Sequence, residues 1–489
     1  MIRAAVLAFC TMLVAVPGAA GQNSSAFVPP DHWSYSALRR LDALGWLQPG
    51  SDPGRRTVPQ QELRLLLDSA VERSADHPIA RAYRERFSEE FRAGTGFSFT
   101  DARVEAGVRT AEGSALAGEG YLADGEWTGA RPLDDEEGVD ARARAAVADG
   151  PFAAALGLEQ SGSKSSIGEL HGVLASSTIG LWGGRRQLGV GFSRHGSIAL
   201  TNAEFDGAGL FLNRPVVLPS FLRHLGPIRV EAHVTQIDNI VNAFGAEQRT
   251  EPYLHASRFS FEPHPRFRVG INRVMMFGGE GNEPVNFRNV AKSLIGNFTA
   301  NSGLFANQVV SVDATFRVPV SCPLLAYLEW GADDTAGGWK SVPALSGGIR
   351  LPMLPRAPDL ALDVTGTWFS GSCCGNAIWY RNHVFRGSWA DDGVLLGHEL
   401  GGHGRELAAT LTLHARDARL RAEVTGLLRH RGEENVFAPQ RAGNSTGGEF
   451  RFAYRLDRRV ELDLGGAIER GSGDAWSRSG LRARVRSTF

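Results

Sequence analysis

The sequence has little of several features that define common protein classes. Only 4 of its 489 residues are Cys, too few for a scaffold built on disulfides. Lys and Arg together (52) balance Asp and Glu (53), and the net charge of −1 does not indicate a nucleic-acid-binding protein. Beyond the N-terminus no apolar run reaches the roughly 18 residues of a membrane-spanning helix. The fold class must therefore be inferred from the spacing of the apolar residues along the chain.

The first residues have the pattern of an export signal. Arg3 supplies a positive charge, residues 4–16 form a short apolar core, and the small residues 18–21 follow it. We predict that residues 1–21 are a signal peptide, which is removed together with Cys10. Three cysteines remain: Cys322, Cys373 and Cys374. The adjacent Cys373 and Cys374 could bridge each other, or one of them could reach a partner; the alternative is that they have no function beyond local structure.

Residues 22–95 have helical spacing. The leucines between positions 38 and 47 recur every third residue. Thr57, with Gln60 three residues later, predicts the start of a second helix by a capping box. A third helix is predicted near residues 77–91. Because about 65 residues make a marginal core, we expect this bundle to pack on the rest of the chain.

The stretch Pro30-Asp31-His32-Trp33-Ser34-Tyr35 resembles the opening of an S-layer-homology repeat, a module that binds cell-wall polymers. Only one copy is visible, whereas such repeats usually act in threes. The alternative interpretation is a packed helix anchored by its Trp. If the first interpretation holds, the helical region binds peptidoglycan.

From about residue 96 onward the apolar residues recur with a period of two. At the C-terminus Leu481 and Val485 share one face of a strand, whereas Arg482 and Arg484 share the other. Such strands recur every ten residues or so, and an aromatic residue ends the chain. We therefore predict that residues 96–489 form an all-β transmembrane barrel, with lipid outside and a polar lumen.

The pattern predicts about 18 antiparallel strands, an even number as single-chain bacterial barrels require. Their predicted starts lie near residues 100, 138, 151, 171, 187, 207, 228, 252, 266, 308, 322, 343, 359, 406, 419, 448, 460 and 480. Short and long connections alternate, and such barrels place short turns in the periplasm and long loops outside. We expect an outer-membrane protein, with its helical bundle in the periplasm. A monomer is expected, because a closed barrel satisfies its own backbone.

Aromatic residues gather in the predicted external segments. Flat rings stack on the apolar faces of sugars, and Arg suits anionic sugars because of its charge and forked donors. The alternative is a belt of rings at the lipid headgroups. The candidate polysaccharide contacts are Trp127, Trp339, Trp379, Tyr380, Trp389 and Trp476.

Two patterns suggest catalysis without completing a motif. His398 and His403 are five positions apart, whereas the zincin helix requires four. Ser193 and His195 could belong to a hydrolase, but spacing alone places no base beside the serine. We expect no catalytic, metal-binding or cofactor-binding residue and no cofactor. The charges on the polar faces of the strands either pair across strands and fill the interior or line a selective pore.

Several short motifs make the chain similar to the capsule assembly Wzi family. The first is Phe277-Gly278-Gly279-Glu280-Gly281, which lacks the Lys of a phosphate loop and predicts a tight external loop. The others are Asn297-Phe298-x-x-Asn301, Tyr327-x-Glu329-x-Gly331-x-Asp333-Asp334 and Leu396-Gly397-His398-x-x-Gly401. The resemblance implies an outer-membrane barrel with periplasmic helices. It implies a lectin-like role in holding capsular polysaccharide, without catalysis.

Two other functions stay open at this stage. A diffusion porin, tethered to the cell wall by its helices, would use the charged lumen as a pore. An outer-membrane hydrolase would need a nucleophile and a base together at the barrel wall.

Overall fold

A computed structural model of the chain describes residues 24–91, 96–112, 138–161, 164–201, 203–237, 251–279, 306–320, 322–333, 343–370, 379–380, 389–391, 394–415, 417–435, 441–472 and 476–489. The predicted signal peptide lies outside the described residues. Three helices come first: α1 (Trp33–Ala43), α2 (Gln60–Arg73) and α3 (Pro78–Glu90). None of these described helices has the length and apolar character to cross a membrane.

The start of α2 differs from the prediction. Pro59 occupies the N-cap position, and no side chain caps the helix. The prediction that Thr57 is the N-cap is therefore wrong. Thr57 is buried in the segment that leads from α1 to α2. By contrast, α1 has a side-chain cap, since the His32 ring accepts a hydrogen bond of 3.3 Å from the backbone N–H of Ser34.

The strands among the described residues form one closed antiparallel sheet and one small hairpin. The strands are β1 (Ser98–Glu112), β2 (Gly138–Asp149), β3 (Phe152–Ser161), β4 (Lys164–Ala175), β5 (Ile179–Leu188), β6 (Ala203–Leu212), β7 (Val216–Val217), β8 (Pro227–Gln236), β9 (Tyr253–His264), β10 (Phe267–Phe277), β11 (Ala306–Val318), β12 (Leu324–Asp333), β13 (Pro343–Leu351), β14 (Leu360–Phe369), β15 (Ala390–Asp391), β16 (Val394–Leu395), β17 (Gly404–His414), β18 (Leu420–Arg431), β19 (Gly443–Arg455), β20 (Val460–Gly471) and β21 (Ser477–Thr488). The hairpin is β15 and β16, and β7 only extends the edge of β8.

The predicted barrel of about eighteen strands is confirmed. It closes where β21 pairs with β1, with Val485 opposite Ala106. Leu481 and Val485 are 54% and 46% exposed on the outer wall, whereas Arg484 and Arg486 are buried in the lumen. An apolar outer face and a polar interior are typical of transmembrane barrels. β4 and β5 begin earlier than predicted, because glycines interrupt their apolar alternation.

The two ends of the barrel differ. One end, the short-turn end, carries turns such as β2–β3, β4–β5, β13–β14 and β17–β18, together with the C-terminus. The other, the long-loop end, carries the connections of residues 189–202 and 370–403. The helices pack against the short-turn end: Arg40 donates hydrogen bonds of 3.0 and 2.7 Å to the carbonyls of Pro352 and Pro358 in the β13–β14 turn.

The S-layer-like stretch lies inside the helical region. Trp33 is buried, and its indole N–H donates a hydrogen bond of 2.9 Å to Glu90. The guanidinium group of Arg86 lies 4.3 Å from the centre of the Trp33 ring. Arg86 also donates a hydrogen bond of 2.7 Å to the carbonyl of Ala418, in the β17–β18 turn. These residues therefore fix the helices to each other and to the barrel, and binding of peptidoglycan here stays a prediction.

Candidate functional site

One long connection turns into the lumen instead of outward. Every residue of the 189–201 segment, between β5 and β6, is buried. Gly191 and Gly196 have φ angles of 104° and 113°, which residues with a Cβ rarely adopt. The Ser197 hydroxyl donates a hydrogen bond of 2.8 Å to Glu329 on β12, and Arg194 pairs with Glu423 on β18 at 2.5 Å. The segment therefore crosses the lumen to the far wall.

A second inward segment packs on the first. The Tyr380 hydroxyl donates a hydrogen bond of 2.7 Å to the carbonyl of Ile198 and accepts one of 3.0 Å from the backbone N–H of His398. The backbone N–H of Thr201 donates a hydrogen bond of 2.7 Å to the carbonyl of Leu396. We call residues 189–201 and 394–403, with Trp379, Tyr380 and Trp389, the plug. Its apolar side chains form one buried cluster with the barrel wall.

The structure places the six aromatic candidates in three different situations. Trp379, Tyr380 and Trp389 are at most 1% exposed and form part of the plug, so no ring face is open to a sugar. Trp127 and Trp339 lie outside the described residues. Trp476 is half-buried at the long-loop end. The role of these residues as polysaccharide contacts stays a prediction, and this arrangement favours Trp476 among the described ones.

The chain also enters the lumen from the short-turn end. Asp52, between α1 and α2, accepts hydrogen bonds of 2.7 and 2.9 Å from the guanidinium group of Arg258 on β9. Arg258 also pairs with Asp313 on β11 at 2.5 Å. Four residues further on, Arg56 donates a hydrogen bond to the backbone carbonyl of Ser193 in the plug. The N-terminal segment and the plug thus meet, and this part of the lumen is filled from both ends.

The charges on the lumen face pair with one another. Glu469 accepts hydrogen bonds of 3.1, 2.9 and 2.7 Å from Arg429, Arg431 and Arg478, and one of 2.7 Å from Ser445. Each carboxylate–guanidinium bond of this kind is stronger than a neutral hydrogen bond. Other strand charges have the same arrangement: Glu105 with Arg484 and Arg486, Asp463 with Arg451, and Glu461 with Arg486. The first of the two predicted arrangements, pairing across strands, is the one observed.

The catalytic candidates are in places that do not suit catalysis. The Ser193 hydroxyl accepts a hydrogen bond of 3.1 Å from the backbone N–H of His195, and both residues are buried in the plug. His398 is buried too, and its Nδ1 accepts a hydrogen bond of 3.2 Å from the backbone N–H of Leu400. Burial lowers the pKa of His398 to about 4. The described residues contain no group of three or more His, Cys, Asp or Glu placed to hold a metal.

Glycines of both motifs have positive φ angles. Gly278 and Gly279 directly follow β10, with φ angles of 66° and 91°. Glu280 and Gly281 lie outside the described residues, so the tight external loop stays a prediction. Gly401 and Gly402, with φ angles of 81° and 85°, end the His398 turn. A Cβ at residue 402 would lie only 2.8 Å from the carbonyl of Trp379.

Trp476 stands beside arginines that the sequence pattern does not single out. The guanidinium carbon of Arg441 lies 5.1 Å from the centre of the Trp476 ring, and that of Arg431 lies 6.0 Å away. Arg431 also pairs with Glu469, which Arg478 shares. We call these five residues the Trp476 cluster. It combines a partly open ring with several cations at the long-loop end, which suits a sugar that carries a negative charge.

The family model described as capsule assembly protein Wzi matches residues 168–478, more than half of the chain. The chain belongs to the Wzi capsule assembly family. No curated protein matches it.

Solved structures give the same fold for this Wzi-family barrel. It is similar to Wzi of Escherichia coli, with a TM-score of 0.71 and 18% identity over 93% of this chain and 98% of that one. That protein is described as an outer-membrane protein involved in group 1 capsule assembly and as a carbohydrate-binding β-barrel. Two Pseudomonas aeruginosa proteins match at 10% identity. OccD3 has a TM-score of 0.48, over 82% of this chain and 93% of that one; OccK11 has 0.49, over 81% and 97%. Similarity this low has no bearing on function.

Proposed function

We propose that this Wzi-family barrel lies in the outer membrane and binds capsular or other surface polysaccharide at its long-loop end, without altering it chemically. The observation that supports this most is the plug. A barrel filled by its own loop and N-terminal segment is suited to holding a ligand at its surface, whereas a diffusion porin needs an open lumen. Family membership and the similarity to a carbohydrate-binding barrel support the same function.

The Trp476 cluster supplies the chemistry for this binding. The half-buried ring offers a flat apolar face, and Arg441, which is 5% exposed, fixes one side of it. Arg431 and Arg478 would donate charge-assisted hydrogen bonds to carboxylate or phosphate substituents of the sugar, as they do to Glu469 within the protein. Trp127 and Trp339 stay candidates from the sequence alone.

Retention of polysaccharide tests the proposal. Full-length protein in detergent is immobilised and incubated with polysaccharide isolated from the surface of its own cell. The wild type should retain it, and Trp476→Ala should weaken retention roughly 10-fold or more, because buried Trp contacts contribute heavily to binding. Trp368→Ala is the matched control, since Trp368 lies 43% exposed on the outer wall. Failure of the wild type to retain any envelope glycan contradicts the proposal.

We further propose that the short-turn end and the helices face the periplasm and that the barrel is a monomer surrounded by lipid. Labelling of intact cells with a membrane-impermeant maleimide tests the orientation, in a chain whose native cysteines are replaced by Ser. Ser472→Cys at the long-loop end should react directly, whereas Glu85→Cys on α3 should react only after permeabilisation. The reverse pattern contradicts this orientation. Co-sedimentation of the full-length protein with purified peptidoglycan tests the S-layer-like stretch.

A further inference from the structure

The plug does not fill the side of the lumen formed by β1–β5. There the strands and residues 27–31 line a cleft of about 70 Å³. This is several times the space that one water molecule needs, and it has room for the carboxylate end of a ligand. The charged side chains lining the cleft are Arg103, Arg142, Arg144, Arg186, Asp31, Glu105, Glu159 and Glu169.

Three of these four arginines have carboxylate partners within the protein. The pairs are Arg103 with Asp101 at 3.1 Å, Arg142 with Glu159 at 3.1 Å, and Arg144 with Glu169 at 2.7 Å. Their charges are therefore already balanced.

Arg186, the fourth, is different. It is only 2% exposed, yet no carboxylate of the described residues lies within 4.0 Å of it, and its Nε and Nη1 have no hydrogen-bond partner there. Its guanidinium carbon lies 3.6 Å from the centre of the Phe27 ring and 4.2 Å from that of Trp182. The rings fix the plane of the guanidinium group but accept none of its in-plane N–H donors. A buried cation with free donors is costly, which points to a ligand that supplies the acceptors.

We propose that this cleft binds the carboxylate of a sugar acid, which accepts paired hydrogen bonds from Arg186. One unpaired guanidinium calls for one negative charge, and a carboxylate matches its forked donors. The hydroxyl groups of a sugar ring could donate hydrogen bonds to Asp31, Glu105 and Glu159. They could accept hydrogen bonds from the neighbouring arginines. The site is separate from the Trp476 cluster, so the inference does not rest on binding there.

The ligand reaches the cleft from the long-loop end. The most exposed charged groups lining it are Arg142 and Glu159, whose side chains are 36% and 28% exposed. Arg142 lies near the start of β2 and Glu159 near the end of β3, and both of these strand ends belong to the long-loop end. Residues 27–31, which belong to the N-terminal segment, also line the cleft.

Calorimetric titration of the full-length protein in detergent tests the proposal, with glucuronate, inorganic phosphate and glucose as separate probes. Glucuronate should bind the wild type, and Arg186→Gln should weaken it about 10-fold to 100-fold. Arg185→Gln is the matched control. Arg185 directly precedes Arg186 in the chain, points to the outer face and forms a partly exposed pair with Asp206. It should bind glucuronate like the wild type. Glucose, without a charge, should not bind measurably.

The probes separate the sources of the anion. Tighter binding of glucuronate than of phosphate, lost in Arg186→Gln, supports a sugar acid. Binding of phosphate alone, absence of binding by either anion, or glucuronate binding that Arg186→Gln leaves unchanged overturns the proposal. If Arg186→Gln does not fold, the wild type decides: glucuronate should raise its thermal midpoint above that in sodium chloride of equal ionic strength, and an equal midpoint overturns the proposal. Trp476→Ala should leave glucuronate binding intact, which keeps this test independent of polysaccharide retention.

Discussion

The guanidinium group of Arg56 donates a hydrogen bond to the backbone carbonyl of Ser193, deep in the lumen where both residues are buried. Arg56 arrives with the N-terminal segment from the short-turn end, and Ser193 belongs to a loop that folds in from the long-loop end. The two ends of the barrel are therefore linked through its interior. Both segments are held in the lumen by specific ion pairs, because each has a charged side chain that pairs with a residue of the barrel wall.

The first prediction concerns conductance. Wild-type protein inserted in a planar lipid bilayer should show no steady open pore, because the plug and the N-terminal segment occupy the lumen. Replacing residues 190–200 by a Gly-Ser linker of equal length should create measurable conductance. A wild type that conducts steadily would favour the alternative of a diffusion porin.

A second prediction concerns Tyr380. Its hydroxyl joins the two halves of the plug, so Tyr380→Ala removes two buried hydrogen bonds and leaves a cavity. We expect a loss of about 3–5 kcal/mol in the local stability of the plug. Hydrogen exchange of residues 189–201 measures it. Tyr454→Ala is the control, since that ring is 37% exposed on the outer wall and should leave exchange in the plug unchanged. Equal exchange in both variants would show that Tyr380 does not hold the plug.

The third prediction concerns Arg258. Arg258→Met leaves Asp52 and Asp313 buried without their shared cation, and we expect a loss of about 3–5 kcal/mol in the free energy of unfolding. Urea unfolding in detergent, followed by tryptophan fluorescence, provides the measurement. Arg84→Met should cost less than about 1 kcal/mol, because its pair with Asp68 is exposed. Similar losses for both variants would argue against a buried network.

The fourth prediction concerns pH. Burial lowers the pKa of both His195 and His398 in the plug to about 4, and nearby Glu406 only partly opposes this. Between pH 6.5 and 4 the opened segment binds protons that the packed plug does not, so the stability of the plug falls as the pH falls. At pH 4.5 each histidine should cost roughly 2–3 kcal/mol relative to neutral pH. Burial raises the pKa of Glu399, also in the plug, to about 7, which offsets about one histidine's contribution and leaves a net loss of about 2 kcal/mol.

Hydrogen exchange of residues 189–201, corrected for its intrinsic pH dependence, measures this loss. Changing His195 and His398 to Asn keeps polar side chains of similar reach and should abolish the loss of stability at low pH. A wild-type plug that is equally protected at pH 7 and 4.5 rules out the linkage.

The barrel could be predicted from the sequence because each strand carries its own evidence. Leu481 and Arg482 must face opposite sides of the wall, so the period of two is strict wherever one side is apolar and the other polar. The pattern fails where glycine replaces the apolar residues: Gly180, Gly183 and Gly184 conceal the start of β5. Thr57 does not cap the helix, because its neighbour Arg56 is fixed by hydrogen bonds to the backbone carbonyls of Gly189 and Ser193 in the plug.

The site was harder to predict, since loops have no period. Nothing near Trp379 or Trp389 in the sequence indicates whether the ring points outward or into the lumen. The partners of Trp476 come from elsewhere in the chain: Arg431 ends β18, and Arg441 lies in the connection between β18 and β19. The isolation of Arg186 is visible only in three dimensions, because every neighbouring strand also carries acidic residues.

Hydrogen exchange of the full-length protein, with and without polysaccharide isolated from the surface of its own cell, tests the central claim most directly. We predict that polysaccharide slows exchange at the long-loop end, in the backbone near residues 431–445 and 469–478, and leaves the helices α1–α3 unaffected. Slower exchange confined to the helices, or no change anywhere, would contradict the claim that this barrel holds polysaccharide at its long-loop end.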